Sequence, residues 1–336
     1  MPRGPRLDIP GLIYHVMCRG IERSIIFSDD YDREQLLTRI SKHAGRGSFH
    51  VYAFSLMPNH FHLLVRPLDI GLATFMRRVL TGYAIYFNRR HKRSGHLFQN
   101  RYKSIVVEEG AYLLELVRYI HLNPLRGGII SDLEALSIWP YSGYSALIGK
   151  AKYSWFEADH TLSLFGARRH DAREKLSSFM KDGLGAERCD DLVGGGLKRS
   201  LGLISDKDMH LDGTGHQAYD ERILGSGDFV EAVLRNADRP AAEKKGNRSN
   251  IHGLIEAALS SYSITRPELC SGSKRSAISK ARSTIIVLGV KHFGLSPIEL
   301  SEALGISLSA VYSIISRSRE EDASESILDV VRRKNM

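Results

Sequence analysis

The chain is poor in cysteine and proline and has no long apolar run. Its three cysteines, Cys18, Cys189 and Cys270, stand far apart in 336 residues. That spacing excludes a disulfide framework and a zinc site built on paired thiolates. No stretch approaches the roughly 18 apolar residues that a membrane-spanning helix needs. The opening Met1-Pro2-Arg3-Gly4-Pro5-Arg6 lacks the apolar core of a secretory signal, so a cytoplasmic protein is expected. With 43% hydrophobic and 25% charged residues, the composition is that of a soluble globular chain. Its length predicts two or three domains.

Acid is locally scarce as well. Between Asp69 and Glu108 there is no carboxylate, yet the stretch holds Arg77, Arg78, Arg89, Arg90, Lys92, Arg93, Arg101 and Lys103. Tyr83, Tyr86, Phe87, Phe98 and Tyr102 are interleaved with these cations. Basic groups follow a phosphate backbone and aromatic faces stack on unpaired bases, so the stretch is a candidate nucleic-acid surface. Tyr83 and Phe87, four apart, read equally well as the core face of a helix. The net charge of +9 is uneven: 20 Lys+Arg against 12 Asp+Glu up to Lys150, 15 against 17 from Ala151 to Lys245, and 12 against 9 beyond. Basic ends around a near-neutral middle suggest that both ends touch a polyanion.

The first segment alternates strand and helix patterns. Strands are expected at Ile13–Cys18, Phe49–Leu56, His60–Arg66 and Tyr102–Val107, the middle two joined by the turn signal Met57-Pro58-Asn59. Helices are expected over Asp29–Ala44 with Ser28 as N-cap, over Leu72–Arg90, and over Ala111–Leu122 with a stop at Pro124. This order suits an α+β fold with a mainly antiparallel sheet. Four parts follow: residues 1–150, an irregular or helical connecting region at 151–245, a helical domain at 246–320, and a tail at 321–336. Within the connecting region Phe229–Arg235 reads as a short helix and Ala241–Asn247 as a solvated linker.

The stretch Ser296 to Ile315 has helix-turn-helix spacing. Ser296 stands at an N-cap and Pro297 at the first helical position. Gly305 falls where a tight turn needs positive φ, and a second helix starts near Ser307 or Ser309. Any pair of antiparallel helices would give the same pattern.

Two local patterns carry chemistry. In His60-Phe61-His62 on a strand, the histidines project to one face and Phe61 to the other. Two imidazoles so placed can chelate one divalent ion, although two surface or core histidines look the same in sequence. In Tyr119-Ile120-His121-Leu122-Asn123-Pro124, Tyr119 and Asn123 are four apart and share a helix face. Asn123 then offers a carbonyl oxygen as a third ligand, and Tyr119 a hydroxyl beside the metal. The alternative is a tyrosine packed at a helix end, with Asn123 as its cap.

From about Gly4 to Lys150 the chain resembles the REP-associated branch of the single-tyrosine HUH transposases. The resemblance rests on Tyr14-His15-Val16 with Arg19-Gly20, Met57-Pro58-Asn59-His60-Phe61-His62, Tyr86-Phe87-Asn88, Gly95 to Ser104, Arg118 to Pro124, and Trp139-Pro140-Tyr141-Ser142. It implies a ferredoxin-like antiparallel sheet, the HUH nuclease domain, presenting His60 and His62 from a central strand. It further implies Tyr119 as nucleophile, Asn123 as third metal ligand, Mg²⁺ or Mn²⁺ as cofactor, and a 5′-phosphotyrosine link with a free 3′-hydroxyl. Hairpin DNA with a short single-stranded guide is the implied partner, and a homodimer is one implied assembly. The chain departs from the family at Ile21 and Glu22, where asparagine-rich residues usually follow Arg19-Gly20.

Ser276 to Ile315 resembles the DNA-binding domain of the bacterial replication initiator DnaA, so an all-α helix-turn-helix domain is expected. By that resemblance Lys280 and Arg282 contact the DNA backbone, while Ser307, Ser309 and Tyr312 meet duplex DNA from the recognition helix. The expected function is metal-dependent cleavage and rejoining of single-stranded DNA, with a duplex-binding tail. The rival readings are a domesticated hairpin-binding regulator and a hydrolase of some other phosphodiester.

Overall fold

The computed structural model describes residues 6–9, 11–44, 49–68, 70–166, 168–185, 220–238, 241–271, 273, 275–293, 295, 297–306, 310–311 and 314–315. The chain divides into two compact units, Met1–Ser226 and Gly227–Met336.

The first unit is built on β1 (Ile13–Arg19), α1 (Asp30–His43), β2 (Phe49–Met57), β3 (His60–Pro67), α2 (Leu72–Arg90) and β4 (Lys103–Val107). The strands lie in the order β2-β3-β1-β4, all antiparallel, which is the expected ferredoxin-like arrangement. A fifth strand, β5 (Ile223–Leu224), pairs parallel to β4 at the edge. Two residues from the stretch expected to be a connecting region thus complete the sheet. Five further helices follow β4: α3 (Ala111–Arg126), α4 (Leu133–Ile138), α5 (Tyr144–Leu147), α6 (Ala158–Ser163) and α7 (Arg169–Asp182). Trp155, Phe156 and Leu162, beyond Lys150, are also buried in this unit.

Helices α1 and α2 pack together, while α3 lies against β2 and β3. A sheet covered on both faces needs apolar residues at nearly every strand position. Accordingly β1 is buried from Ile13 to Cys18, and any polar side chain inside it sits in the interior.

Several element ends lie one residue from those expected, and two differences have an evident physical cause. The N-cap of α1 is Asp29 rather than Ser28, because the Asp29 carboxylate accepts from the Asp32 N–H at 3.0 Å. Helix α3 runs through Pro124 to Arg126 instead of stopping before it. Proline removes a single donor there, and the chain closes the helix end with Gly127 N–H to Asn123 C=O at 2.7 Å. Leu122 and Pro124 are both buried, so packing outweighs the local preference.

The second unit is helical: α8 (Gly227–Asp238), α9 (Ala241–Tyr262), α10 (Arg266–Leu269), α11 (Ser276–Phe293) and α12 (Pro297–Leu304). The stretch expected to be a solvated linker forms the first turns of α9, consistent with its Ala, Glu and Lys, which are strong helix formers. Leu254, Ile255, Ile285, Ile286, Leu300 and Leu304 lie in its core. Pro297 opens α12, and Gly305 follows its end at φ +63°. Ser296 lies outside the described residues.

Candidate active site

The alternation expected for His60-Phe61-His62 is present. His60 pairs across with Arg19 and His62 with Met17 on β1. The His60 and His62 rings meet at 5.1 Å, nearly perpendicular. Phe61 turns the other way, onto the ring of Phe98.

His15, two strand positions along from Met17, joins them. Its ring stacks on His62 at 5.2 Å and 15°, with His15 Nε2 2.9 Å from His62 Nδ1. Burial pushes His15 down to about 3. His62 is held well below its ordinary value by burial first, then by the charges of His60, His15 and Arg19. Both are therefore neutral near pH 7, the form in which imidazole binds metal.

Helix α3 brings Tyr119 to this pair. Its buried ring stands edge-on to His62 at 5.9 Å and 89°, and to His15 at 6.3 Å and 80°. Asn123 shares the helix, and its Nδ2 donates to the Tyr119 carbonyl at 3.0 Å. It makes no hydrogen bond to either histidine. Arg126, one turn on from Asn123, lies with its guanidinium carbon 5.9 Å from the Tyr119 ring centre. Burial lowers the Arg126 pKa, and the negative charge of a Tyr119 phenolate opposes that shift.

The turn before β3 is tightly specified. Gly20 N–H donates to Asn59 C=O at 2.8 Å. A Cβ on Gly20 would meet the Ser24 carbonyl oxygen at 2.1 Å, so only glycine fits. Glu22 and Arg23 follow in left-handed conformations, at φ 51° and 60°. The Asn59 Nδ2 donates to Arg23 C=O at 3.1 Å, and its Oδ1 lies 2.7 Å from His60 Nδ1.

The donor set suits a divalent cation. His62 Nε2 is buried without a hydrogen-bond partner. Imidazole nitrogens together with an amide oxygen such as that of Asn123 are donors of a kind that Mn²⁺ and related ions accept. Among the described residues, no group of three His, Cys, Asp or Glu forms a metal cluster.

Residues 8–123 match the family model described as transposase, IS200 like. This segment is an IS200-like transposase domain. The chain is also similar to a solved structure described as a REP-associated tyrosine transposase bound to a REP hairpin. That likeness has 19% identity and a TM-score of 0.37, and covers 47% of this chain and 98% of the other. No curated protein matches the chain.

The expected DNA-facing residues of the transposase domain separate into three groups. Arg77, Arg78 and Arg89 are exposed on α2. Arg101 and Lys103 line a cleft of about 220 Å³ with Met17, Arg19, Gln99 and Asn100. Two of its lining residues, Met17 and Arg19, are the strand partners of His62 and His60. Arg90 and Arg93 are exposed but also make contacts within the chain. Arg90 pairs with Asp29 and Asp32, both at 2.6 Å, and Arg93 reaches Asn88 and the Phe87 ring. Arg90 is thus compensated by acids from α1 and its N-cap, despite the acid-free stretch around it. The interleaved aromatics are mostly interior: Tyr83 and Phe87 are core, and the Tyr86 hydroxyl donates to Asp32.

In the second unit Lys280 is exposed. Arg282 donates to the carbonyls of Leu269 at 2.8 Å, Ser273 at 3.0 Å and Ser271, so its guanidinium holds the loop between α10 and α11. Ser307, Ser309 and Tyr312 lie outside the described residues. Among the described residues no helix is long and apolar enough to cross a membrane.

Arg126 was not foreseen as a site residue, and His15, Arg19 and Asn59 entered only as parts of motifs. For His15 the local signal was a histidine within the otherwise apolar run Ile13 to Cys18.

Proposed function

We propose that this protein cuts and rejoins single-stranded DNA, with Tyr119 as nucleophile and a divalent cation held by His60, His62 and Asn123. The observation that carries this reading is the Tyr119 ring standing edge-on to His62, whose buried Nε2 has no hydrogen-bond partner. The Tyr119 hydroxyl oxygen bonds to the phosphorus, and the bond from phosphorus to the 3′ oxygen breaks. The tyrosyl proton goes to solvent, and the departing 3′ oxygen takes up another. A 5′-phosphotyrosine and a free 3′-hydroxyl result, and the reverse attack reseals the strand. When bound, the cation polarises the phosphate and steadies the leaving oxygen. Mg²⁺ and Mn²⁺ are the ions of choice. Arg126, beside the ring, favours the phenolate over the phenol.

The substrate strand runs through the cleft of Arg19, Arg101 and Lys103, where cations meet its phosphates. The exposed Arg77, Arg78 and Arg89 extend this surface. A hairpin with an adjoining unpaired segment is the proposed substrate. The second unit adds duplex binding through a helix-turn-helix that pivots at Gly305, with Lys280 on its exposed side.

The test incubates the full chain with labelled single-stranded hairpins from its own genomic flanks, with Mn²⁺ or EDTA, beside Tyr119→Phe. The expected result is a denaturant-resistant protein–DNA adduct that needs Mn²⁺ and vanishes in Tyr119→Phe. Hairpins that bind but are never linked or cut would make this a binding protein. Cutting without an adduct would make it a hydrolase.

A further inference from the structure

The ring nitrogens that a cation would need are selected by hydrogen bonds from outside the ligand set. Consider His60 first. Arg23 C=O can only accept, so the Asn59 group facing it at 3.1 Å is the Nδ2 donor. This fixes the amide, and Oδ1 is left facing His60 Nδ1 at 2.7 Å. An amide oxygen can only accept as well. The proton in this contact therefore belongs to His60 Nδ1, and in a neutral ring Nε2 carries the lone pair.

His62 is governed by His15. Their 2.9 Å contact joins His62 Nδ1 to His15 Nε2 and holds one proton. If His15 donated it, the His62 proton would sit on Nε2, a buried nitrogen with no acceptor. Nε2 is unpartnered in either tautomer, but a buried N–H left there could not be relieved by a cation, whereas a lone pair could. If His62 Nδ1 donates, Nε2 carries a lone pair instead, which is what a cation requires.

We propose that His15 and Asn59 are positioning residues that fix the Nδ1–H tautomers of His62 and His60, so that both Nε2 lone pairs are available to one divalent cation. This rests on the metal-dependent reading above. Both devices precede metal binding. The turn with Glu22 and Arg23 in left-handed conformations acquires a role in it, since it places the carbonyl that orients Asn59. Partners of this kind set ligand orientation and basicity, and their loss typically weakens metal binding 10- to 100-fold.

The test has two readouts apart from DNA cleavage. Long-range ¹H–¹⁵N spectra of the metal-free full chain should show His60 and His62 protonated at Nδ1 and not at Nε2. Mn²⁺ titration should then show binding weakened about 10- to 100-fold in His15→Phe and Asn59→Ala. His15→Gln, whose amide oxygen can still accept, should recover most of the His15→Phe loss. An Nε2–H signal from His62 overturns the proposal, as does wild-type Mn²⁺ affinity in a folded His15→Phe. Should His15→Phe fail to fold, the wild-type spectra and Asn59→Ala decide. A wild-type protein with the expected tautomers but no Mn²⁺ binding overturns the metal-dependent reading, and the cation role of this relay with it.

Discussion

Arg90 Nη1 lies 2.6 Å from Oδ1 of Asp32, a carboxylate with no solvent exposure. Asp32 also accepts from Ser28 N–H at 2.9 Å and from the Tyr86 hydroxyl at 2.8 Å, and its Oδ2 lies 2.9 Å from His91 Nε2. Burial by itself raises the Asp32 pKa. The Ser28 N–H, Arg90, Tyr86 and His91 outweigh it and hold the group below its ordinary value. A carboxyl lowered in the folded state stabilises above its unfolded pKa of about 3.9, and the benefit is lost as pH falls through the folded value. Asp32→Ala should therefore destabilise the protein by about 3 kcal/mol at pH 7, read by urea unfolding. The difference from wild type should shrink in acid. Mn²⁺ affinity should not follow, because Asp32 belongs to α1 and not to the histidine site.

The same pairing separates two kinds of arginine. If the substrate strand occupies the cleft, Arg101→Ala and Lys103→Ala should each reduce the salt slope of single-strand binding by about 0.7. Arg90→Ala should change it little, since two carboxylates already neutralise that charge. Anisotropy titrations across a salt series measure this. Unchanged slopes in both cleft variants would remove the cleft from the path of the strand.

His160 predicts a pH dependence unrelated to catalysis. Burial, followed by the charges of Arg66 and His50, lowers it to about 4. A histidine lowered in the folded state is protonated preferentially after unfolding. Stability should thus be full above pH ~6.5, decline as pH falls from there, and level off below about 4. Urea midpoints from pH 7 to pH 4 should fall less steeply in His160→Gln than in wild type. Parallel curves would assign the loss to other groups.

In the second unit Arg282 is a structural brace. Arg282→Ala frees three carbonyls at the end of α10 and should cost about 2 kcal/mol, seen as a lower melting temperature for this unit. Arg282→Lys should recover only part, because an ammonium cannot span three carbonyls in the same fork. If Arg282→Ala instead leaves melting unchanged and weakens duplex binding, the residue acts on DNA rather than on the loop.

Gly305 offers a conformational test. A Cβ there would meet Cys270 Cβ at 3.6 Å, an ordinary contact, so its φ of +63° is the obstacle. Gly305→Ala should cost about 1 kcal/mol. A neutral or stabilising effect on thermal unfolding would mean that the turn has another conformation in solution.

Much of this protein was written locally in its sequence. Period-2 alternation put His60 and His62 on one face and Phe61 on the other, and the Leu72–Arg90 helix has the limits its pattern predicted. The turn at Gly305 was legible because positive φ is a local demand. A series of ordered, spaced motifs also marked the transposase domain. The tertiary structure decided what depended on residues far apart in the chain. His15 lies 47 positions before His62, and no local pattern says which buried histidine another will face. Asp32 is 58 positions from Arg90, so a stretch without acids could still contain a neutralised arginine. Pro124 stayed inside its helix because packing outweighed a local preference, and β5 joined the sheet from a segment with no strand-like pattern of its own. Backbone periodicity is a short-range property. Tautomers, charge compensation and sheet edges are set by whatever folding brings within a few ångströms.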